Sequence, residues 1–295
     1  MDDGRAAELI DSRLPFRQVD VFSAVPFKGN PVAVVLDADQ LSGEQMQVIA
    51  GWTNLSETTF VCTPTNARAD YRLRIFTPRS ELQFAGHPTI GSAHAVLRSG
   101  LKPKTTGQLV QECGKGLVTL RIDGERLFLE LPKPALRDLP LGLLDELAAA
   151  LGIAADSVRA SAVVDVGVTW ITVQLSGAGS VRGLRPDLAR IGALTPAGVV
   201  GVTVFGFTPA GSHPDIEVRS FAPAEGVPED PVCGSGNGCV AALVRRQRLT
   251  SGSTYVARQG SCVGRDGRVE VQFGDDETIW LGGHAVTCVE GTLRA

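Results

Sequence analysis

The sequence predicts an α+β protein of two similar domains, each a β-barrel-like curved sheet around a central α-helix. Three observations predict it. The first is an internal repeat: Arg74-Ile75-Phe76-Thr77-Pro78, Glu81 and Phe84-Ala85-Gly86-His87-Pro88 lead into a helix of small residues, and Arg219-Ser220-Phe221-Ala222-Pro223, Glu229 and Val232-Cys233-Gly234-Ser235 lead into another. The second is the segment after each helix: a Gly-led strand (Gly107–Glu112, Gly252–Gln259), a Gly turn and an alternating strand (Leu117–Ile122, Arg268–Phe273). The third is the balance of elements. Each half offers many strands and one long small-residue helix, which is not the strand–helix alternation of a doubly wound sheet. Self-similarity near half the chain length argues for two related halves rather than a solenoid, whose periods are shorter. Halves built this way would face each other, with two helix N-termini converging on one ligand.

Taken in order, Gln18–Phe22 alternates and reads as a strand, and Val32–Leu36 is a continuous apolar strand buried on both faces. Ser42, with Gln45 three positions on, is a capping box that starts a helix over Gly43–Trp52, with Met46, Ile49 and Ala50 inward. Thr58–Cys62 and Tyr71–Phe76 are β-branched or aromatic strands, and Pro88–Leu97 is the first central helix. Strands come next at Leu109–Glu112, Leu117–Ile122 and Leu127–Leu131. The prolines at 132, 134 and 140 punctuate the middle and set the expected domain boundary. This gives a loose leader over 1–15, an N-terminal domain over 16–134 carrying Glu57 and His87, and a C-terminal domain over 135–295 carrying Asp230 and Ser235, with the last strand free to return to the first. Gly142–Leu151 and Pro186–Ile191 read as helices; Ala162–Val166, Trp170–Leu175, Val199–Phe207, Asp215–Phe221 and four strands after the second central helix complete the pattern.

Composition narrows the class. With 295 residues, 43% of them apolar and 20% charged, the chain has room for two domains with cores of their own. A net charge of −4 gives no electrostatic reason for a nucleic-acid or anionic-membrane partner. No apolar run approaches the roughly 18 residues that span a bilayer. The N-terminal segment is acidic and lacks the apolar stretch of a secretory signal, so a cytoplasmic location is expected. Six cysteines (Cys62, Cys113, Cys233, Cys239, Cys262, Cys288) show no C-x-x-C spacing and read as reduced thiols, several packed as small hydrophobes. Four histidines show no ligand spacing, so no metal is expected.

The chemistry concentrates at the two Gly turns and at Glu57. The first N–H groups of a helix lack internal partners and carry partial positive charge, so each turn is a candidate anion site. Glu57, at the entrance of an apolar strand, is a candidate acid/base whose pKa would rise towards neutral; an exposed loop carboxylate is the alternative.

These residues resemble the phenazine-biosynthesis isomerase (PhzF-like) family, of diaminopimelate epimerase-like fold. The resemblance is carried by Val19-Asp20-Val21-Phe22, Gly29-Asn30-Pro31, Ser56-Glu57-Thr58-Thr59-Phe60, the Arg74 and Gly86 segments, Glu229-Asp230-Pro231-Val232-x-Gly234-Ser235, and Gln259-Gly260 with Gly264-Arg265. It covers nearly the whole chain from Phe16 onward. It implies an active site in the cleft between two domains, a homodimer, no cofactor, and a small carboxylate substrate. Catalytic roles are implied for Glu57 as general acid/base and for His87 and Asp230 in positioning and proton movement. The resemblance also implies that Ser235 and the amides after Gly86 and Gly234, together with Pro88, Cys233 and Gly236, bind the substrate.

Related epimerases place a cysteine before each Gly turn. Here those places hold Ala85 and Cys233, and alanine cannot take a proton, which disfavours racemisation. Cys233, beside a helix start, is either a thiol of lowered pKa or a small packing residue. The sequence therefore points to an isomerase that shifts a proton within an unsaturated, phenazine-precursor-like or dehydroproline-like acid. A Cys233-dependent racemase or dehydratase and a non-catalytic binding module are the alternatives. Phe27, Trp52, Trp170 and His213 are candidates for setting the substrate.

Overall fold

The computed structural model describes residues 13–295, so the leader expected over 1–15 lies, up to residue 12, outside the described residues. The chain divides into two compact units. Of the described residues, the first comprises 13–27, Pro31–Leu127 and Ala285–Ala295; the second comprises Lys28–Asn30 and Phe128–His284. In order, the elements are β1 (Arg13–Val21), β2 (Asn30–Val35), α1 (Gly43–Thr53), β3 (Thr58–Cys62), β4 (Tyr71–Phe76), β5 (Glu81–Leu82), α2 (Gly86–Arg98), β6 (Gln108–Cys113), β7 (Gly116–Asp123) and β8 (Arg126–Glu130). The second half adds β9 (Ala135–Arg137), α3 (Leu143–Leu151), β10 (Val158–Asp165), β11 (Thr169–Leu175), α4 (Ala178–Gly183), α5 (Leu188–Leu194), β12 (Gly201–Phe207), β13 (Ile216–Ala222), β14 (Val227–Asp230), α6 (Gly234–Arg246), β15 (Thr254–Gln259), β16 (Gly267–Phe273) and β17 (Ile279–Arg294). Strands β8 and β17, rather than a linker, carry the chain from one unit to the other.

The repeat seen in the sequence is a repeat of topology. In the first unit β3 runs parallel to β2 and antiparallel to β4, β5 folds back on β4, and β6 lies parallel to β4 on the far side of α2 in the chain. In the second, β12 runs parallel to β11 and antiparallel to β13, β14 folds back on β13, and β15 lies parallel to β13 after α6. The recurring Arg-x-Phe…Glu residues do the same job twice. Arg74 grips Glu81 with two bonds of 2.7 and 2.8 Å and lies over the Phe76 ring at 5.2 Å; Arg219 grips Glu229 with bonds of 2.9 and 2.8 Å and lies over Phe221 at 5.0 Å. Both forks are bidentate, the geometry that planar guanidinium favours.

Each unit is built on its central helix. From His87 to Val96 every residue of α2 is buried, and from Gly236 to Val244 every residue of α6 is buried. A helix buried on all faces must be surrounded, which is why both are rich in small residues such as Gly, Ala and Ser rather than built on an amphipathic pattern. Gly91 shows the tightness: a Cβ there would meet the Val21 side chain at 2.9 Å, and Val32 closer still. Surface helices keep to the ordinary pattern. The Ser42–Gln45 capping box is present in both directions, at 3.2 and 2.9 Å, and α1 buries Met46 and Ala50 against Val35, Phe60 and Phe76.

Four elements were not visible in the sequence, among them the two-residue strand β5. Helix α4, Ala-Gly-Ser-Val-Arg-Gly, has no periodicity to detect, and β9 and β14 are short strands whose partners, β10 and β13, are non-local or come after a turn. The helix expected over Pro186–Ile191 is α5, displaced towards the C-terminus because Asp187 caps it by accepting from the Arg190 amide at 3.0 Å. Strand β1 begins five residues before the alternation that marks it, since its early residues pair with β17 from Arg13↔Arg294 onward.

Candidate active site

In the first unit, Glu57 sits at the entrance of β3, and its carbonyl accepts from the Ala33 amide. His87 is the second residue of α2. The two side chains meet: His87 Nε2 and Glu57 Oε2 are 3.2 Å apart, with side-chain exposures of 10% and 16%. The pair is close but off the line of a full hydrogen bond, as catalytic contacts commonly are without ligand. Burial drives the His87 pKa down to about 3, against the raising effect of a hydrogen bond to the Pro31 backbone, so the ring is neutral at ordinary pH. Proline has no N–H, so the Pro31 carbonyl must accept, and with Nε2 facing Glu57 the donor is Nδ1. That tautomer leaves a bare Nε2 lone pair turned towards the carboxyl. A protonated Glu57 carboxyl would therefore have a neutral neighbour able to accept its hydrogen bond. At the head of α2, Ala85 gives no side-chain cap and Pro88 no donor, which leaves the amides of Gly86 and His87 open.

In the second unit, β14 delivers Asp230 and the turn at Pro231–Cys233 delivers α6. Asp230 Oδ1 accepts from the Val232 amide at 3.0 Å and from Asn30 Nδ2 at 3.1 Å, while Asn30 also donates to the Val232 carbonyl. Burial raises the Asp230 pKa to about 6, only partly offset by the Val232 amide and the Cys233 side chain. Ser235 keeps a half-exposed face at the first turn of α6 and accepts from Trp170 Nε1 at 3.0 Å. Gly236, expected to bind substrate, instead commits its amide to Cys233 Sγ at 3.2 Å, and the Asn237 amide goes to the Cys233 carbonyl. The open donors of this turn are thus the Gly234 and Ser235 amides and the Ser235 hydroxyl.

Cys233 resolves one sequence alternative. Its thiol is pushed well above the ordinary range, first by burial and then by the charge of Asp230, and the Ser235 and Gly236 donors do not reverse this. Desolvation outweighs the helix start, which favours the packing alternative over the thiol of lowered pKa. Ala85 occupies the corresponding place before α2. Cys233→Ala is therefore expected to keep turnover within about threefold of the parent, and iodoacetamide to leave it unchanged; a loss of two orders of magnitude would restore the thiol mechanism.

Sequence reasoning missed the support behind these groups. Gln259, fully buried, accepts from the Cys233 amide (3.1 Å) and from Asn237 Nδ2 (2.7 Å) and donates to the Asp230 carbonyl (2.9 Å), tying the acidic turn to the helix start. Its counterpart in the repeat is Gln111, which accepts from Tyr71 and donates to Thr89 in the first unit. The matching Gln111 and Gln259, each in the strand after a central helix, were the available signal. Of the residues named as candidates for setting the substrate, Trp52 (77% exposed) and Phe27 (68%) are on the surface and His213 is exposed, whereas Trp170 is buried at 2% and touches the site. Among the described residues no cluster of three or more His, Cys, Asp or Glu could hold a metal ion, and no helix is long and apolar enough to cross a membrane.

Comparison with known proteins agrees with this architecture. "Antisense-enhancing sequence 1" of Schizosaccharomyces pombe is 42% identical over 290 residues, covering 94% of this chain and 97% of its own. Trans-2,3-dihydro-3-hydroxyanthranilate isomerase of Pseudomonas chlororaphis is 34% identical over 284 residues, covering 93% and 97%. The crystal structure of the Bacillus anthracis phenazine biosynthesis protein of the PhzF family superimposes with a TM-score of 0.83 at 24% identity, over 96% of this chain and 99% of that one, and so attests the fold. The family described as phenazine biosynthesis-like protein, PhzC-PhzF, matches residues 19–291, and the chain belongs to this family of isomerases.

Proposed function

We propose that the protein is a cofactor-independent isomerase that moves a proton within a small unsaturated carboxylic acid, with Glu57 as the general acid/base. The observation that carries this reading is the contact of the Glu57 carboxyl with a buried, neutral His87. A C–H bond conjugated through ring double bonds to a carboxylate loses its proton to a nearby base, and the charge spreads into the unsaturated system. Glu57 then returns the proton to another carbon of that system. The substrate's own unsaturation stores the charge, so the chemistry calls for no cofactor. Ser235 and the amides of Gly234 and Ser235 hold the carboxylate, and Asp230 positions a polar substituent. The isomerase relative from P. chlororaphis supplies the substrate class: a dihydro-hydroxyanthranilate, or an acid of similar unsaturation. A homodimer belongs to the same proposal and is checked by sedimentation.

The test is incubation with trans-2,3-dihydro-3-hydroxyanthranilate and a panel of unsaturated amino acids, monitoring loss of diene absorbance. Turnover of one compound supports the reading. Silence across the panel, with the folded protein binding none of its members, favours instead a non-catalytic module, a reading suggested by the 42% identical relative whose name states no reaction.

Asp230 gives the reaction a pH signature. Above pH 6 its carboxylate predominates and accepts from substrate; below 6 it is protonated, so kcat/KM is expected to fall on acidification with a midpoint near 6. Asp230→Asn lowers activity and removes that limb. Stability moves the opposite way. The folded pKa is raised above the unfolded value, so the native state favours the protonated form, and that advantage is lost as pH rises from about 4 through 6. Asp230→Asn should thus gain roughly 3 kcal/mol in urea unfolding at pH 8 and almost nothing at pH 4.

A further inference from the structure

The Ser235 hydroxyl is a half-exposed group at an open helix start, and its second partner decides what it can recognise. Trp170, on β11, is 2% exposed, and its indole N–H, a donor with no acceptor capacity, is directed at Ser235 Oγ at 3.0 Å. The ring cannot turn away without opening the core, because β11 is paired on both edges, with β10 at Val164↔Trp170 and with β12 at Trp170↔Gly201. A serine hydroxyl has one proton and two lone pairs. With one lone pair filled by a fixed donor, its own proton must point elsewhere. The nearby candidate inside the protein is Cys233 Sγ at 3.6 Å, a weak acceptor already engaged by the Gly236 amide.

We infer that Trp170 is a positioning residue that biases the Ser235 hydroxyl towards donating, so that the α6 turn presents three donors (Gly234 N–H, Ser235 N–H and Ser235 O–H) and selects a carboxylate over an uncharged amide or a protonated amine. This rests on the assignment of Ser235 to the substrate carboxylate above and adds the residue that sets the polarity of that contact. An ionised acceptor strengthens each of the three bonds. A carboxamide offers one oxygen in place of two, and its NH₂ can use only the one lone pair that the indole leaves on the hydroxyl, which requires the hydroxyl proton to turn to the weak acceptor Cys233 Sγ. Without the indole N–H, Ser235 can rotate and accept, and the discrimination is reduced.

The test uses the full chain labelled with ¹⁵N and two unreactive aromatic probes, 3-hydroxyanthranilate and its carboxamide. The chain has three tryptophans, so the indole resonances are few, and Trp170→Phe identifies one of them by its loss. Ser235→Ala, with no probe present, should move the Trp170 indole proton upfield by several tenths of a ppm, as the hydrogen bond is lost. The parent should bind the carboxylate at least tenfold more tightly than the amide. Trp170→Phe, which keeps a ring in the core, should weaken carboxylate binding about fivefold, the worth of one such bond, while leaving amide binding unchanged. On the Ser235→Ala background the same substitution should change neither. If the parent binds the carboxylate and Trp170→Phe preserves both affinity and selectivity, or if the indole resonance ignores Ser235→Ala, Trp170 is a packing residue only and the inference fails. If the parent binds neither probe, the assignment of the turn to a carboxylate fails, and the inference fails with it.

Discussion

Glu57→Gln is expected to lower kcat by roughly 10²–10⁴-fold, the range that a positioned acid/base contributes, with a much smaller change in KM. Glutamine keeps the length and shape of the side chain, so it can still lie against His87, 3.2 Å away in the parent structure. What it lacks is a basic oxygen, and the proton then has nowhere to go. The neighbouring imidazole does not substitute for it. With a pKa near 3 His87 takes up no proton at neutral pH, and its Nδ1–H is held by the Pro31 carbonyl. His87→Gln should accordingly be the milder variant, because it removes an orienting neighbour rather than the base. The measurement is steady-state kinetics of both variants on whichever acid the parent turns over, with circular dichroism to confirm the fold. Equal losses in the two variants would mean that the pair works as one unit rather than as base and orienter.

The second large effect concerns the repeat. Glu229→Ala is expected to cost about 3–5 kcal/mol of stability, whereas Glu81→Ala, the same substitution at the corresponding place in the first unit, costs no more than about 1 kcal/mol. Chemistry and geometry are alike in the two forks; solvent is not. The side chains of Arg74 and Glu81 are 24% and 43% exposed, and water can take over from the lost carboxylate. Those of Arg219 and Glu229 are 7% and 12% exposed, and Arg219 also donates to the Val181 and Leu184 carbonyls, which fix it in place. Removing Glu229 leaves a guanidinium charge buried without its counter-ion. Urea unfolding reads the difference directly, and the melting temperature of Glu229→Ala should fall by on the order of 10 °C. Similar small losses in both variants would show that the second fork is as well solvated as the first.

Much of this architecture was legible because the chain states it twice. The Arg-x-Phe-x-Pro and Gly-turn segments gave the two central helices, and the structure places Arg74 with Glu81 and Arg219 with Glu229 in the same way. The helix read over Pro88–Leu97 is α2, and the small-residue run after the second Gly turn lies in α6; both are core helices. Glu57 could be placed at the entrance of β3 from the β-branched run immediately after it. The supporting residues were named in the sequence, but what they bind was not legible, for a physical reason. Gln259, Asn30 and Trp170 act through side-chain bonds that reach partners as far as 29, 202 and 65 positions away, and no local pattern reports such contacts. The Cys233 thiol was left between two readings for the same reason. A helix start is visible in sequence and argues for a lowered pKa, but the burial that overrides it exists only once the chain is folded. Helix α4, rich in glycine, forms because it packs on β12 and β13 and not because its sequence asks for a helix.

The most direct measurement is NMR of the reaction of trans-2,3-dihydro-3-hydroxyanthranilate in deuterated buffer, with the parent and with Glu57→Gln. The account predicts an isomerised product in which deuterium appears at the newly protonated carbon, diluted to the extent that Glu57 returns the proton it removed, and predicts neither product nor label with the variant over the same time. Product formed at the parental rate by Glu57→Gln, or deuterium exchange confined to a stereocentre with no change in the double bonds, would contradict it.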